Sequence, residues 1–535
     1  MSPQASSSDL RASRWTILAA AIILLAGAAA YLNSFSGAFV FDDFFCITEN
    51  REIRHLWPLG DVLFPPLNSA AAGVAGRPVV NLSLAVNYAL GGTNVWGYHA
   101  FNLAIHLLAA LTLLGLVRRT LLLPVLCERF GSRATVLSLA VAILWTIHPL
   151  QTEAVTYVIQ RAESLMGLCY LLTLYCVLRG ATAKGAAFWH VFGVVACLIG
   201  MATKEVMATA PLIVLLYDRT FLAGSFRAAW RARRGLYLAL AATWGAIAWG
   251  LLATDFHGGS TGFAVKEFTW WSYLLTEPGV ILHYLRLAIW PVGQCLDYNW
   301  PAAGAPAEIV LPGLLMAGLL SLTGWAIWKR PLMGFLGAWF FVILAPTSSF
   351  VPIQDAACEH RMYLCLAAVV TGGVLAGDAL LRMIEGSRLR RQIWARTLGF
   401  GLLAVTCIAL GTMTVARNNV YSSERSIWQN TLEQAPDNAR AHSSLAIALA
   451  SERQYDAAIA HFQKALDIKP VYAVHNNLGT ALAARGRVRE ALEQYQQALA
   501  IKPDYDSALH NRNNLLARLE LYKASKSHRD GVKAE

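Results

Sequence analysis

Two adjacent carboxylates, Asp42 and Asp43, stand in the stretch GAFVFDDFFCITEN directly after the first apolar run, flanked by aromatic residues. Neighbouring acids at a bilayer boundary each resist desolvation and repel one another. Such a pair reads as functional, with a hydrated pair that merely ends a helix as the alternative. Further ionisable residues gather at comparable places: Arg77 in GRP, His99 and His106 in GYHAFNLAIH, and His148, Glu153, Arg161 and Glu163 in HPLQTEAVTYVIQRAES. Lys204 with Glu205, and Glu359, His360 and Arg361 with Tyr363 in CEHRMYL, complete the set. Ionisable groups at membrane depth mark substrate paths or reaction centres by default. The bland readings are core histidines at 99 and 106, which share one helical face, and self-neutralising pairs, Glu153 with Arg161 and Lys204 with Glu205. No CxxC or Cys/His spacing suggests a structural metal. A divalent cation, Mg or Mn, beside the acidic pair is left open.

These residues need elements that bring span ends together. The 535-residue chain is 56% hydrophobic and only 14% charged, with a mean hydropathy of +0.45, outside the soluble range. Apolar runs near residues 15–32, 99–117, 135–150, 162–179, 186–202, 206–222, 235–253, 308–328, 332–346, 362–381 and 397–416 predict an all-α, polytopic helical membrane domain over residues 1–420. The first run reads as an uncleaved span. The run 273–290 reads as re-entrant or interfacial.

Lys and Arg close to span ends set orientation. Arg118, Arg119, Arg129 and Arg133; Arg227, Arg231, Arg233 and Arg234; Lys329 and Arg330; and Arg382, Arg388, Arg390, Arg391 and Arg396 are expected on the cytoplasmic side. Threading the chain through them puts residues 33–98, 149–163, 254–307 and 347–361 outside, together with the carboxyl-terminal part. The ionisable residues above then converge on one outer cavity. The net charge of +11 is accounted for by these loop clusters, so no nucleic-acid partner is expected.

Residues 421–535 are polar and carry two aligned segments, ARAHSSLAIALASERQYDAAIAHFQKALDIKP and AVHNNLGTALAARGRVREALEQYQQALAIKP. Pro436, Pro470 and Pro503 are spaced by one tetratricopeptide (TPR) unit, the second interval one residue shorter than the first. The expectation is a TPR α-solenoid of a half repeat around Trp428, two repeats and a capping helix from Ser507 to Lys523. Its surface fits an acceptor or partner protein, with His442, Asn476 and Asn477 as candidate contacts.

Taken in order, FVFDD after the first span, GRP, GYHAFNLAIH, HPLQTEAVTYVIQRAES, KE before a span ending in Tyr217 and Asp218, EHRMYL, and then TPRs resemble the transmembrane and TPR repeat-containing proteins over nearly the whole chain. That family has the GT-C fold of lipid-linked glycosyltransferases. Its relatives commonly carry Pro where this chain has Cys365. The resemblance implies a polyprenyl-phosphate sugar donor, whose good leaving group needs cations, with Arg361, His360 and Arg161 suited to the departing phosphate. A carboxylate must take the proton of the attacking hydroxyl. By resemblance this is Asp42, with Asp43 as its orienting partner or an acceptor contact, or the two exchanged. The implied activity is inverting transfer of a mannose-like hexose to Ser or Thr of exported proteins, outside a bacterial inner membrane. Transfer to a lipid or polysaccharide, and a non-catalytic membrane-anchored TPR scaffold, are the competing readings.

Overall fold

The computed structural model describes residues 7–65, 74, 76–253, 262, 265, 267–385 and 389–532; Arg388, expected among the cytoplasmic arginines, lies outside them. Contacts divide the chain into two compact units, Met1–Gln294 with Trp300–Ser422, and Cys295–Asn299 with Ser423–Glu535. The described elements are helical throughout.

Among the described residues of the first unit, six helices are long and apolar enough to cross a bilayer: Arg14–Ser36, Val95–Leu121, Val158–Thr182, Pro306–Lys329, Glu359–Ile384 and Leu389–Val420. A seventh, Pro124–Thr146 with Pro149–Thr156, is bent by 56°. Ala186–Met201 and Pro331–Leu344 are shorter apolar helices. The eleven apolar runs therefore do not make eleven unbroken spans. The run 135–150 breaks at His148 because Pro149 lacks an amide hydrogen and opens a new turn. The run 206–222 is divided among a 3-10 turn (Glu205–Thr209), a helix (Ala210–Tyr217) and a π turn (Asp218–Leu222). Helix Trp270–Ile289, with Pro278 and the buried Glu277 inside it, is not among the six.

Local chemistry sets the ends of the helices that matter. Asn94 caps Val95–Leu121 by accepting the Trp96 amide at 3.1 Å, and Arg118 and Arg119 in the last turn complement the helix dipole. Small residues then permit close packing. A Cβ at Gly167 would lie 2.5 Å from the Tyr363 ring, and one at Gly193 would lie 3.2 Å from Cys176. Polar pins join the spans: His106 Nδ1 to Tyr363 Oη at 3.0 Å, Trp145 Nε1 to the Tyr363 carbonyl at 2.9 Å, and Thr156 to Asn418 at 2.7 Å.

The described helices of the second unit are Glu424–Gln434, Ala439–Ser451, Tyr455–Ile468, Tyr472–Ala484, Val488–Ile501 and Asp506–Val532. Trp428, Phe462 and Tyr495 are buried between them, and Gly479 leaves room for the Tyr495 ring, 2.7 Å from where a Cβ would stand. The shorter repeat interval falls in the turn between Ile468 and Tyr472, which holds residues 469–471, whereas the turns at 435–438 and 502–505 are one residue longer. The segment Cys295–Asn299 joins this unit: Asn438 Nδ2 donates to the Asp297 carbonyl at 3.1 Å, and Arg440 Nε is 3.3 Å from its carboxylate. His442 and Asn476, expected on the binding surface, are instead buried. His442 bonds His461 at 2.9 Å and the Pro436 carbonyl at 3.0 Å, and Asn476 accepts from Asn511 at 3.0 Å. Asn477 stays half-buried.

Candidate functional site

The acidic pair sits on a tight turn that follows the first span. Phe41 adopts φ of 49°, left-handed backbone that costs a non-glycine residue about 1–2 kcal/mol. Three hydrogen bonds hold it there: the Asp43 amide to the Val40 carbonyl at 3.0 Å, the Phe44 amide to the Phe41 carbonyl at 3.2 Å, and the Val40 amide to Asp43 Oδ2 at 3.1 Å. Asp43 is wholly buried, and its Oδ1 accepts the Ile159 amide at 2.8 Å. Burial pushes its carboxyl up to about 8, with the amide donors at Val40 and Ile159 pulling the other way and the Asp42 charge adding to the rise. Asp43 is thus a buttress. Asp42 is half-buried, and its amide donates to Tyr157 Oη at 3.0 Å.

The same 152–161 segment that receives Asp42 and Asp43 also holds His360. Glu153 accepts the His360 amide at 2.9 Å and bonds its Nδ1 at 2.8 Å. Asp43 and His360 are therefore anchored six residues apart on one buried stretch, at Ile159 and Glu153, which puts them at the same end of the spans. Arg77 completes the group. It lies within electrostatic range of Cys46, which also feels Asp42 and Asp43, and of Glu205 and His360. Its Nη2 is 3.6 Å from Glu205 Oε1, with the two side chains 33% and 48% exposed. An ion pair so open to solvent adds about 0–1 kcal/mol of stability. Burial alone would raise the Glu205 carboxyl, but Arg77 and Lys204 outweigh it and hold the group below its ordinary value.

The charge partners differ from those expected of sequence neighbours. Glu153 pairs with His360 rather than Arg161, and Lys204 pairs with the buried Glu163 at 2.9 Å rather than with Glu205. Several residues expected to touch substrate are built into the protein instead. Arg161 is fully buried, donating to Asn87 at 2.6 Å and to the Ser83 and Tyr98 carbonyls at 3.3 and 3.4 Å, and lies over the Tyr98 and Phe101 rings. Arg361 donates to the carbonyls of Asp355, Ala356 and Thr347 at 2.5, 2.7 and 3.1 Å and so fastens the loop before it. His106 and Tyr363 are bonded to each other in the core. His148 caps the turn at Leu150 and reaches the Ala288 carbonyl at 3.2 Å. Glu359 accepts from Gln294 at 2.7 Å and faces Arg417 at 3.7 Å. His99 is also buried, packed beneath Gly37, where a Cβ would meet its Nε2 at 3.0 Å. A guanidinium forking onto carbonyls and one forking onto a phosphate have the same sequence signature. Residues missed by sequence reasoning are the second partners: Tyr157, uncharged though inside the HPLQTEAVTYVIQRAES stretch, and Asn87, Gln294 and Asn418, which carry no charge and no motif.

Among the described residues, no three of His, Cys, Asp and Glu converge as a metal-binding group. Both Asp43 oxygens are engaged by amides, and no step is routed through a cation.

Fold and site together define a polytopic helical membrane protein with an acidic, cation-faced cluster at one end of its spans and TPR repeats. Residues 439–472 match the tetratricopeptide repeat family and 479–519 the TPR repeat family. The chain is 26% identical over 525 residues to human protein O-mannosyl-transferase TMTC1, covering 85% of this chain and 56% of that protein. It is 25% identical to mouse protein O-mannosyl-transferase TMTC4, covering 81% and 64%. With fruit-fly protein O-mannosyl-transferase Tmtc2 it is 32% identical over 35% of the chain and 20% of the relative. Its homologues over most of its length are thus the TMTC proteins, and it spans a little over half the length of those two long matches.

Proposed function

We propose that this chain is a membrane glycosyltransferase that moves a mannose-like hexose from a polyprenyl-phosphate donor to Ser or Thr hydroxyls of exported proteins, on the extracytoplasmic side of a bacterial inner membrane. The carrying observation is Asp42: the accessible acid of the pair, presented by a strained turn and braced on the segment that holds His360. Asp42 takes the proton as the hydroxyl oxygen attacks the anomeric carbon. The bond from that carbon to the phosphate oxygen breaks, and the lipid phosphate leaves with the electron pair. Attack opposite the leaving group inverts the centre. Arg77, the half-buried guanidinium of the cluster, receives the developing phosphate charge, in place of the committed Arg161 and Arg361. The names of the long homologues support O-mannosyl transfer, and the arginines at the opposite helix ends support the sidedness. The repeats recruit the acceptor protein.

The test is the Asp42→Asn variant in cells that depend on this chain, read by intact mass of exported proteins. The hexose increment should fall by about 100-fold or more while detergent melting of the purified variant stays unchanged. An unaltered mass profile would favour a scaffold whose repeats act alone.

A further inference from the structure

A second feature of the membrane unit lies far from Asp42. Helix Val95–Leu121 carries His99 near one end and Val117 near the other, about 27 Å apart along its axis. At the Val117 end an apolar groove of about 580 Å³, open mouth included, is lined by Leu113, Val117, Phe221, Leu336, Trp339 and Leu375. Polar groups on its wall are satisfied within the protein: Thr120 bonds Tyr217 Oη at 2.6 Å, and Thr371 donates to the Ala367 carbonyl at 2.6 Å. Such a wall recognises hydrocarbon and nothing polar.

The wall residues Leu121 and Leu375 continue into a core with Phe130, Ala134 and Leu137. Over the Phe130 ring stand the Arg129 and Arg382 guanidinium groups, at 5.0 and 5.4 Å. Arg133 and Arg382 both lie 2.8 Å from Asp378, and Arg118, one residue beyond Val117, donates to Thr135 at 3.0 Å. Four arginines thus gather at this end, two of them paired with the single buried carboxylate of Asp378, and the exposed Glu128 is the remaining acid on the short 124–130 helix. We propose that this groove and its arginine crown bind an anionic phospholipid, the acyl chain along the groove and the phosphate among Arg118, Arg129 and Arg382. A neutral lipid would leave the cationic excess unused, and a soluble anion would leave the groove unused. Basic pockets between spans beside the headgroup layer select anionic lipids for this reason. The site does not depend on the transfer reaction at the other end of the helices.

The full chain, delipidated in detergent, is titrated with phosphatidylglycerol, phosphatidylcholine or inorganic phosphate and read by native mass spectrometry. Phosphatidylglycerol should be retained about tenfold better than phosphatidylcholine, and the double variant Arg129→Gln, Arg382→Gln should erase most of that preference. Thr371→Phe, which fills the groove, should weaken both lipids. Asp378 keeps Arg133 in the double variant, and Arg129→Gln alone removes no ion pair, so the single variant carries the test if the others fail to fold. Equal retention of the two lipids by the unaltered chain would overturn the proposal. So would an unchanged preference in Arg129→Gln with Arg382→Gln, or displacement of the lipid by inorganic phosphate at equal concentration.

Discussion

At the scale of single residues, the site separates one half-buried acid, Asp42, from a shell of buried charges that hold its surroundings in place. Arg161 illustrates the shell. Removing it as Arg161→Ala takes the guanidinium donor from the buried Asn87 oxygen and opens a void, so stability should fall by about 3 kcal/mol or more. A drop in detergent melting temperature checks this, and a variant that melts normally but has a raised donor KM would restore Arg161 to the substrate set. Asp43→Asn turns one amide partner from donor-to-acceptor into donor-to-donor and should cost about 1–3 kcal/mol. The neutral Asp43 carboxyl contributes fully below its ordinary pKa of about 4. That contribution is lost as pH rises through about 8. Melting temperature of the unaltered chain should therefore decline across that window, and less so in Asp43→Asn. The positions of nearly all these residues were legible from motifs at span ends. Their division into buttress and reachable group was not, because it depends on which carbonyls and amides fold back to meet them. Asp43 shows this most directly, since its partner Ile159 is 116 residues away and unremarkable in type.

At the scale of elements, helix type and repeat phasing were readable and breaks were harder. Proline explains the bend at Pro149, but the π turn at Asp218 has no such mark. Its carboxylate is claimed by Arg233 at 2.5 Å and by Tyr237, so tertiary bonding rather than local propensity opens the helix. In the repeats, Arg453 has φ of 62° at the turn where the next repeat places Gly486 with φ of 74°. Left-handed backbone is unfavourable for arginine and free for glycine. Arg453→Gly should therefore stabilise the repeat unit by about 0.5–1 kcal/mol, visible as a higher melting temperature, and no change would show that the turn relaxes without cost.

At the scale of the whole molecule, composition alone divides the chain between residues 420 and 421, yet composition has no means of revealing that residues 295–299 fold with the repeats. Asp297 is neither apolar nor part of the repeat period. Asp297→Ala removes the charge facing Arg440 and leaves the Asn438 contact, which uses the backbone, in place. A loss of about 1 kcal/mol is expected, read as increased hydrogen exchange at Asn438 to Ala441 with the later helices unaffected. Uniform exchange along the array would instead mean that the clip is immaterial. Because the first full hairpin is clasped by a piece of chain encoded more than a hundred residues upstream, the array has a fixed head. Duplication or loss of a whole repeat ahead of Ala439 would pull Asn438 out of register with its clasp, whereas the same event beyond Ile468 leaves the clasp untouched. Lineages of this protein should accordingly differ in repeat number on the distal side of that hairpin and keep its proximal side constant.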